Sequence, residues 1–342
     1  MGRQWKKVVY CMLLWCVCLL FGCGKPENTG DETKIIRARV PQYSEDYITV
    51  GFIQTGKESD WRDANTNDFL KTFSEQNGYN LIFIDGNSDL NRQIKAMNDL
   101  IHQQVDYIIL DPIVETGWEE SLRLAKERGI PVIVSDRMVE ADDSLYTCWI
   151  GSDFEEEGRK AAKWLEAYLE KQGRSKETIR IVILEGTEGA SAAIGRTNGL
   201  YAEMNHHDNW EILTTRCANF TQGEGKNVME EILKEYEDID VLISENDNMM
   251  FGAMKAMEQA GVSFGVQGDV ITVSFDALHE AFEYMIEGKL MVSVECNPLI
   301  AGLSHEVIQK LEAGQEVNKV NYVEEAVFSY ENAAEHMDGR KY

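Results

Sequence analysis

Short apolar runs alternate with longer amphipathic stretches over most of the chain. In the first half, runs rich in Ile and Val lie at 48–53, 80–85, 107–110 and 131–135. Between them, apolar residues recur at helical spacing over about 61–77, over 91–103 and up to residue 128. Near-continuous apolar strands are typical of parallel sheets, because helices cover both faces of such a sheet. The first half therefore predicts βαβ units around a parallel sheet.

The same pattern restarts after residue 150. Helical stretches lie at about 158–172, 194–205, 223–235 and 249–260, and strand-like runs at 180–184, 210–215, 240–243 and 270–274. Two successive α/β halves predict two similar Rossmann-like lobes that face each other. In such sheets ligands bind beyond the carboxyl ends of the strands, so we expect functional residues directly after each strand.

The N-terminus has the layout of a secretory leader. A basic head from Arg3 to Lys7 precedes an apolar run that is shorter than a membrane span and ends at Cys23. A cysteine at this place is typical of a bacterial lipobox, in which it is acylated. We expect a signal peptide over 1–22 and a lipid-anchored, flexible tether over 23–47, with the folded part outside the cell membrane. An uncleaved membrane anchor is the alternative.

The chain is strongly acidic, with 59 Asp and Glu against 33 Lys and Arg and a formal net charge of −26. Binding to nucleic acid depends on clustered Lys and Arg that neutralise phosphates. Direct adhesion to anionic lipid head groups depends on the same positive charge. The composition therefore excludes nucleic acid as a partner and disfavours a lipid-binding surface.

Cysteine and histidine usage gives little support to catalysis or metal binding. Beyond the leader only Cys148, Cys217 and Cys296 remain, widely spaced and without a CxxC pair, so we expect buried free thiols rather than disulfides or a zinc site. The sequence has no GxSxG, HExxH or P-loop motif. We expect neither an enzyme nor a cofactor; a glycoside hydrolase with paired carboxylates is the alternative.

Charged, amide and aromatic residues follow most of the predicted strands. They are Trp61, Arg62, Asp111, Asp136, Arg137, Arg196, Asn246, Asp276, Glu295 and Asn297. Each alone is an ordinary cap or turn residue. Together they suit a neutral polyol, because guanidinium and carboxylate groups form paired hydrogen bonds to neighbouring hydroxyls and aromatic faces cover a sugar ring.

A series of motifs occurs in a fixed order between residues 48 and 330. They are GF (51–52), SDWR (59–62), QIKA (93–96), PIVETGW (112–118), IPV (130–132), DR (136–137), GTEGASAAIGR (186–196), NDNM (246–249) and VECNP (294–298). In these motifs the chain resembles the sugar-binding proteins of ABC importers in the ribose/galactose class, and within that class the galactofuranose-binding type.

The resemblance implies a type I periplasmic-binding-protein fold, in which two lobes with parallel sheets are joined by a three-strand hinge. Crossovers are expected near Ile150, Phe275 and Val317. The implied N-terminal lobe comprises 48–150 plus 277–316, the C-terminal lobe 151–276 plus 317–332, and a tail 333–342.

The resemblance also implies roles for the candidate residues. The sugar would be held by Arg62, Asp136, Arg137, Arg196, Asn246 and Asp276. Trp61 and Trp118 would contact the ring or form the cleft wall. Glu295 and Asn297 share one strand face, so one of them is expected to point into the cleft. Asp111 stands where the galactofuranose-binding type has an apolar residue, and Asn297 where it has a threonine.

The function implied is that of a monomeric, extracellular, lipid-anchored receptor. It would capture a monosaccharide, galactofuranose or a related pentose or hexose, and deliver it to the permease of an ABC transporter. Binding would shift the two lobes from an open to a closed arrangement. The alternative partner is a membrane histidine kinase that senses the sugar, since the same pocket would serve both.

Overall fold

The computed structural model of the protein describes residues 46–342, which belong to one compact unit. The predicted leader, the predicted lipidation site Cys23 and nearly all of the predicted tether lie outside these residues. Across the described part of the chain, no helix has the length and apolar character needed to cross a bilayer.

Strands and helices alternate as the apolar pattern predicts. The strands are β1 (Ile48–Gln54), β2 (Tyr79–Asp85), β3 (Tyr107–Leu110), β4 (Val132–Ser135), β5 (Cys148–Gly151), β6 (Ile179–Glu185), β7 (Trp210–Cys217), β8 (Val241–Ser244), β9 (Ile271–Asp276), β10 (Val292–Glu295), β11 (Val320–Tyr322) and β12 (Val327–Ser329). The helices are α1 (Asp60–Thr72), α2 (Leu90–Gln103), α3 (Glu119–Glu127), α4 (Phe154–Lys171), α5 (Ser191–Met204), α6 (Gln222–Glu235), α7 (Asp247–Ala260), α8 (His279–Ile286), α9 (Ala301–Glu312) and α10 (Ala333–His336).

Two six-stranded sheets form the centres of two lobes. The first has the order β11-β5-β4-β3-β1-β2 and is parallel throughout. The second has the order β12-β10-β9-β8-β6-β7 and is parallel except for β12, which runs antiparallel to β10. The predicted two-lobe α/β architecture is confirmed.

Helices cover both faces of each sheet, so the central strands are buried on both sides. β3, β4, β5 and β8 are buried at every position. Apolar clusters on opposite faces of each sheet therefore divide the core into layers. This arrangement holds the carboxyl ends of the strands at a fixed edge of each lobe.

The lobe boundaries differ from those predicted. β10 pairs with β9, and α8 packs into the core of the second lobe, so 277–295 belongs there and not to the first lobe. Conversely, β11 pairs with β5 and extends the first sheet. The chain first crosses between β5 and α4, then between β10 and α9, and finally between β11 and β12. The crossovers expected near Phe275 and Val317 are therefore wrong.

The predicted tail is also part of the second lobe. The Arg340 guanidinium lies 4.7 Å from the ring centroids of both Phe282 and Phe328. The backbone oxygen of Tyr342 accepts a hydrogen bond from the His279 amide at 2.6 Å. These contacts cover α8 with the last ten residues of the chain.

Candidate functional site

A small cavity lies between the carboxyl edges of the two sheets. Its walls come from both lobes and from the second crossover. The lining residues are Glu58, Ser59, Trp61, Arg62, Asp136, Arg137, Phe154, Ala192, Arg196, Phe220, Asn246, Asp276 and Cys296. We call the expectation that functional residues directly follow each strand the strand-end rule. Most of the residues that this rule selected meet in this cavity.

On the first lobe, Arg62 is surrounded by carboxylates. Ser59 caps α1 by accepting a hydrogen bond from the Arg62 amide, which places Arg62 in the first turn of the helix. Its guanidinium binds Glu58 Oε1 at 3.0 Å and Asp136 Oδ2 at 2.8 Å, and it also pairs with Asp111. Burial lowers the pKa of Arg62, but these three carboxylates outweigh burial and raise it above its usual value.

Arg137 lies beside Arg62 and shares one of its partners. Arg137 Nη2 donates to Glu58 Oε1 at 2.5 Å, and Nη1 donates to the Ile113 carbonyl at 3.3 Å. Its Nε is buried and has no hydrogen-bond partner in the part of the chain that the structure describes. The guanidinium also faces the second lobe, 5.0 Å from the centroid of the Phe220 ring.

The backbone at the end of β4 turns Arg137 into the cavity. Asp136 has a φ of +58°, in the left-handed region that non-glycine residues rarely adopt. Two hydrogen bonds hold this conformation: the Asp136 amide donates to the Ile150 carbonyl at 2.8 Å, and Trp149 Nε1 donates to the Asp136 carbonyl at 2.9 Å. The turn is therefore fixed by the neighbouring strand.

On the second lobe, Arg196 projects from α5 into the cavity. Its Nε donates to Glu157 Oε2 at 2.7 Å, its Nη1 donates to the Glu245 carbonyl, and its Nη2 lies 3.5 Å from Asp276 Oδ1. The rings of Phe154 and Phe275 flank the guanidinium at 5.5 Å and 5.0 Å. Carboxylates, a carbonyl and aromatic rings thus hold the side chain in one orientation.

Asp276 ends β9 and supplies an unused acceptor. Its Oδ2 is buried and has no hydrogen-bond partner among the described residues, and its φ is +99°. Asn246, in contrast, has hydrogen-bond partners within its own lobe. Its Oδ1 caps α7 by accepting from the Met249 amide at 2.9 Å, and its Nδ2 donates to the Phe220 carbonyl at 3.0 Å.

Burial shifts the ionisation of the carboxyl groups around the cavity. It raises the pKa of Asp111 and of Asp276, against the opposing effects of Arg62 and Arg196 respectively. It also raises the pKa of Glu245 to about 8 and that of Asp247 to about 7. The site therefore combines three buried arginines with at least as many carboxyl groups.

Trp61 connects the first lobe to the second crossover. Its Nε1 donates to the Cys296 carbonyl at 2.6 Å, and its ring packs into the apolar cluster of the second lobe. The Arg62 guanidinium lies 4.6 Å from its ring centroid. Trp61 thus forms a wall of the cavity, as the resemblance implied.

Four of the predicted site residues do not line the cavity. Trp118 is fully buried in the core of the first lobe, where its Nε1 binds the Val114 carbonyl. Glu295 pairs with Arg340 at 2.7 Å. Asn297 Oδ1 accepts from the backbone amide of Leu299. Asp111 lies behind Arg62 and contacts the cavity only through it.

Other lining residues were not selected from the sequence. Phe154 and Phe220 follow β5 and β7, so the strand-end rule applied to those strands would have found them. Glu58 lies four residues before Arg62 and forms an ion pair with it. Opposite charges at this spacing can pair across one turn of a helix, so the spacing was the signal that could have indicated Glu58. Cys296 belongs to the VECNP motif but has no sequence feature that marks it as a pocket residue.

Comparison with known proteins gives a consistent result. Residues 50–315 match the periplasmic binding protein domain family. The galactofuranose-binding protein YtfQ of Escherichia coli strain K12 is 34% identical over 299 residues, which cover 86% of this chain and 92% of that protein.

Two solved structures are similar in sequence and fold. One, from Mycobacterium smegmatis in complex with β-D-fucofuranose, is 38% identical with a TM-score of 0.81 and covers 85% of this chain and 94% of its own. The other is the periplasmic binding protein component of the arabinose ABC transporter from Shewanella sp. ANA-3, bound to α- and β-L-arabinofuranose. It is 37% identical with a TM-score of 0.79 and covers 86% of this chain and 95% of its own.

Proposed function

Because this chain belongs to the periplasmic binding protein domain family, we propose that it is a receptor that captures a neutral monosaccharide in the furanose form and delivers it to an ABC importer. It is a binding protein and not an enzyme. The sugar occupies the cavity between the lobes, and the closed arrangement is the form that the importer recognises.

The observation that carries this proposal is a pair of unused polar atoms on opposite walls. Among the described residues, Arg137 Nε from the first lobe is a buried donor without a partner, and Asp276 Oδ2 from the second lobe is a buried acceptor without one. Both residues line the cavity. Hydroxyl groups both donate and accept, so a polyol satisfies both atoms and bridges the lobes.

The charges around the cavity favour an uncharged ligand. Glu58, Asp111 and Asp136 compensate Arg62 and Arg137, and on the second lobe Glu157 and Asp276 compensate Arg196. A uronate or a sugar phosphate would add a negative charge to a buried site without an uncompensated cation, which is costly.

The ring form is inferred from similar proteins. The 34% identical protein YtfQ is named for galactofuranose, and the structures at 38% and 37% identity were solved with fucofuranose and arabinofuranose. Acylation of Cys23 would keep the receptor beside the membrane protein to which it delivers the sugar.

The test is thermal unfolding of the purified protein with galactofuranose, galactose, ribose, arabinose, xylose and glucose, and with galacturonate and galactose 6-phosphate. One neutral sugar is expected to stabilise the fold by about 2.7 kcal/mol at a hundredfold excess over its dissociation constant. NMR of that sugar labelled with ¹³C should show the furanose ring in the bound state. Stabilisation by an anionic sugar alone, or by none of the panel, would overturn the proposal.

A further inference from the structure

A polar cluster joins the three segments that connect the lobes. Glu325, in the third crossover, accepts hydrogen bonds through one oxygen, Oε1. The donors are the Ser152 hydroxyl of the first crossover, at 2.5 Å, and the Asn297 amide of the second, at 2.9 Å. A single carboxyl group therefore ties together all three connections between the lobes.

Glu157 on α4 links this cluster to the sugar cavity. Its Oε2 accepts from Arg196 Nε at 2.7 Å, whereas its Oε1 is completely buried and accepts no hydrogen bond of normal geometry from residues 46–342. A carboxyl oxygen of Glu157, a carboxyl oxygen of Glu325 and the Sγ atom of Cys296 all lie within 4.8 Å of one another. Two carboxyl groups thus approach each other in a buried place, and one of their oxygens lacks a donor.

Two neighbouring groups can supply a hydrogen to this oxygen. The one hydroxyl hydrogen of Ser152 is directed to Glu325. The Cys296 thiol lies 3.3 Å from Ser152 Oγ, where either group can donate, and it also lies beside Glu157. The other source is Glu325, and a hydrogen bond between the two carboxyl groups requires a proton on one of them.

We propose that Glu325 is a positioning residue for sugar binding: it stays protonated, donates to Glu157, and so leaves Glu157 ionised to hold Arg196. This inference rests on the proposed function, because Arg196 lines the cavity. Without the proton, two carboxylates would repel each other in a buried place, and Glu157 would be displaced from Arg196.

The surrounding charges support this assignment of the proton. Burial, followed by the negative charge of Glu157, raises the pKa of Glu325 to about 9. Burial raises the pKa of Glu157 as well, but the Arg196 charge opposes that shift, so the proton belongs to Glu325. The other charged or titratable groups that face the pair are Asp276, Cys296 and Lys160, whose Nζ donates to the Glu325 carbonyl at 3.3 Å.

The direction of the pH dependence follows from the raised pKa. A carboxyl group with a higher pKa in the folded than in the unfolded chain stabilises the fold fully below its unfolded value, about 4.3, and this contribution is lost as the pH rises through about 9. Sugar affinity depends only on the ionisation of Glu325 in the folded protein, where its pKa is about 9, so we expect affinity to stay constant between pH 6 and 8 and to fall at least fivefold by pH 10.

The test is the pH profile of sugar affinity in the wild type, in Glu325→Gln and in Glu325→Ala. Glutamine carries a donor at the position of the proton and cannot ionise, so its affinity should match the wild type at pH 7 and remain flat to pH 10. Alanine supplies no donor and should bind at least tenfold more weakly at pH 7. Glu324→Gln, the same change at the exposed neighbouring residue, should keep the wild-type profile.

Three outcomes would overturn the inference: a flat wild-type profile, a folded Glu325→Gln protein that loses affinity as strongly as the alanine variant, or an affinity that depends on a bound cation. Dialysis against EDTA should leave affinity unchanged, whereas a loss that Zn²⁺ restores would show that a cation replaces the proton. If the wild type binds no sugar of the panel, the proposed function fails. In that case the protonation of Glu325 is tested by the melting temperature. The wild-type melting temperature should fall between pH 7 and 9.5, and Glu325→Gln should remove part of that fall.

Discussion

At the scale of single residues, the site depends on arginines whose orientation is fixed before a ligand arrives. Glu58 Oε1 binds both Arg62 and Arg137, so one oxygen sets the spacing of two guanidinium groups. Arg196 is held between Glu157 and the Glu245 carbonyl. A planar guanidinium fixed in this way loses little conformational entropy on binding, which favours affinity.

We predict that Arg137→Lys weakens sugar binding by about ten- to a hundredfold, the equivalent of roughly 1.4–3 kcal/mol for a hydrogen bond to a charged group. Lysine keeps the positive charge beside Glu58 but lacks the buried Nε donor. Titration calorimetry measures the effect. Arg123→Lys, on the exposed surface of α3, is the matched control and should bind normally. Equal affinities for both variants would contradict the assigned role of Nε.

The strand-end rule predicted the core of this site because parallel strands bring their carboxyl ends to one edge. Arg62, Asp136, Arg137, Arg196 and Asp276 come from distant parts of the sequence and meet there. The rule failed where a tertiary or local partner captures the side chain. Glu295 follows a strand like the others, but Arg340 and Tyr342, from the end of the chain, pair with it at 2.7 Å each.

At the scale of elements, the second lobe depends on helices that pack closely at glycines. Gly158 on α4 and Gly199 on α5 face each other's backbones. A Cβ on Gly199 would lie 2.0 Å from the Glu155 carbonyl oxygen, and one on Gly158 would lie 2.3 Å from the carbonyl oxygen of Arg196. The position of Arg196 relative to Glu157 is therefore set by a contact between backbones.

We predict that Gly199→Ala destabilises the protein by about 1–3 kcal/mol, because the added methyl group must separate α4 and α5. Urea unfolding measures the loss. Gly302→Ala in α9 is the control, since nothing lies within 4 Å of a Cβ there. It should raise stability by up to about 1 kcal/mol through helix propensity. Destabilisation of both variants to the same extent would argue against a specific contact.

Strands and helices were largely predictable from the sequence, whereas their assignment to lobes was not. The runs at 107–110 and 131–135 have the apolar character of buried strands, and the structure has strands there. β10 has the same character, so composition cannot tell which sheet it joins. Its pairing with β9 and the packing of α8 against the second lobe decide this, and both are tertiary contacts.

At the scale of the whole molecule, the closed arrangement has contacts between the lobes that need no ligand. On one side of the cavity the Glu115 amide donates to the Gly189 carbonyl at 3.0 Å, and the Met138 amide donates to Ser191 Oγ at 2.8 Å. Elsewhere between the lobes, α1 and α7 are joined by two hydrogen bonds between the same two residues. The Asp60 amide donates to Asn248 Oδ1 at 3.0 Å, and Asn248 Nδ2 donates to Asp60 Oδ2 at 2.7 Å.

We predict that Asn248→Ala weakens sugar binding by about five- to thirtyfold, although Asn248 does not line the cavity. Its two hydrogen bonds contribute roughly 1–2 kcal/mol and exist only when the lobes are closed, so their loss favours the open form and reduces the apparent affinity. Small-angle scattering should show the same compact form at saturation, reached at a correspondingly higher sugar concentration. Asn205→Ala, exposed at the end of α5, should behave as the wild type.

The double variant Asp60→Ala with Asn248→Ala should lose less binding free energy than the sum of the two single variants, since both changes remove a shared contact. Full additivity would mean that the pair does not stabilise closure.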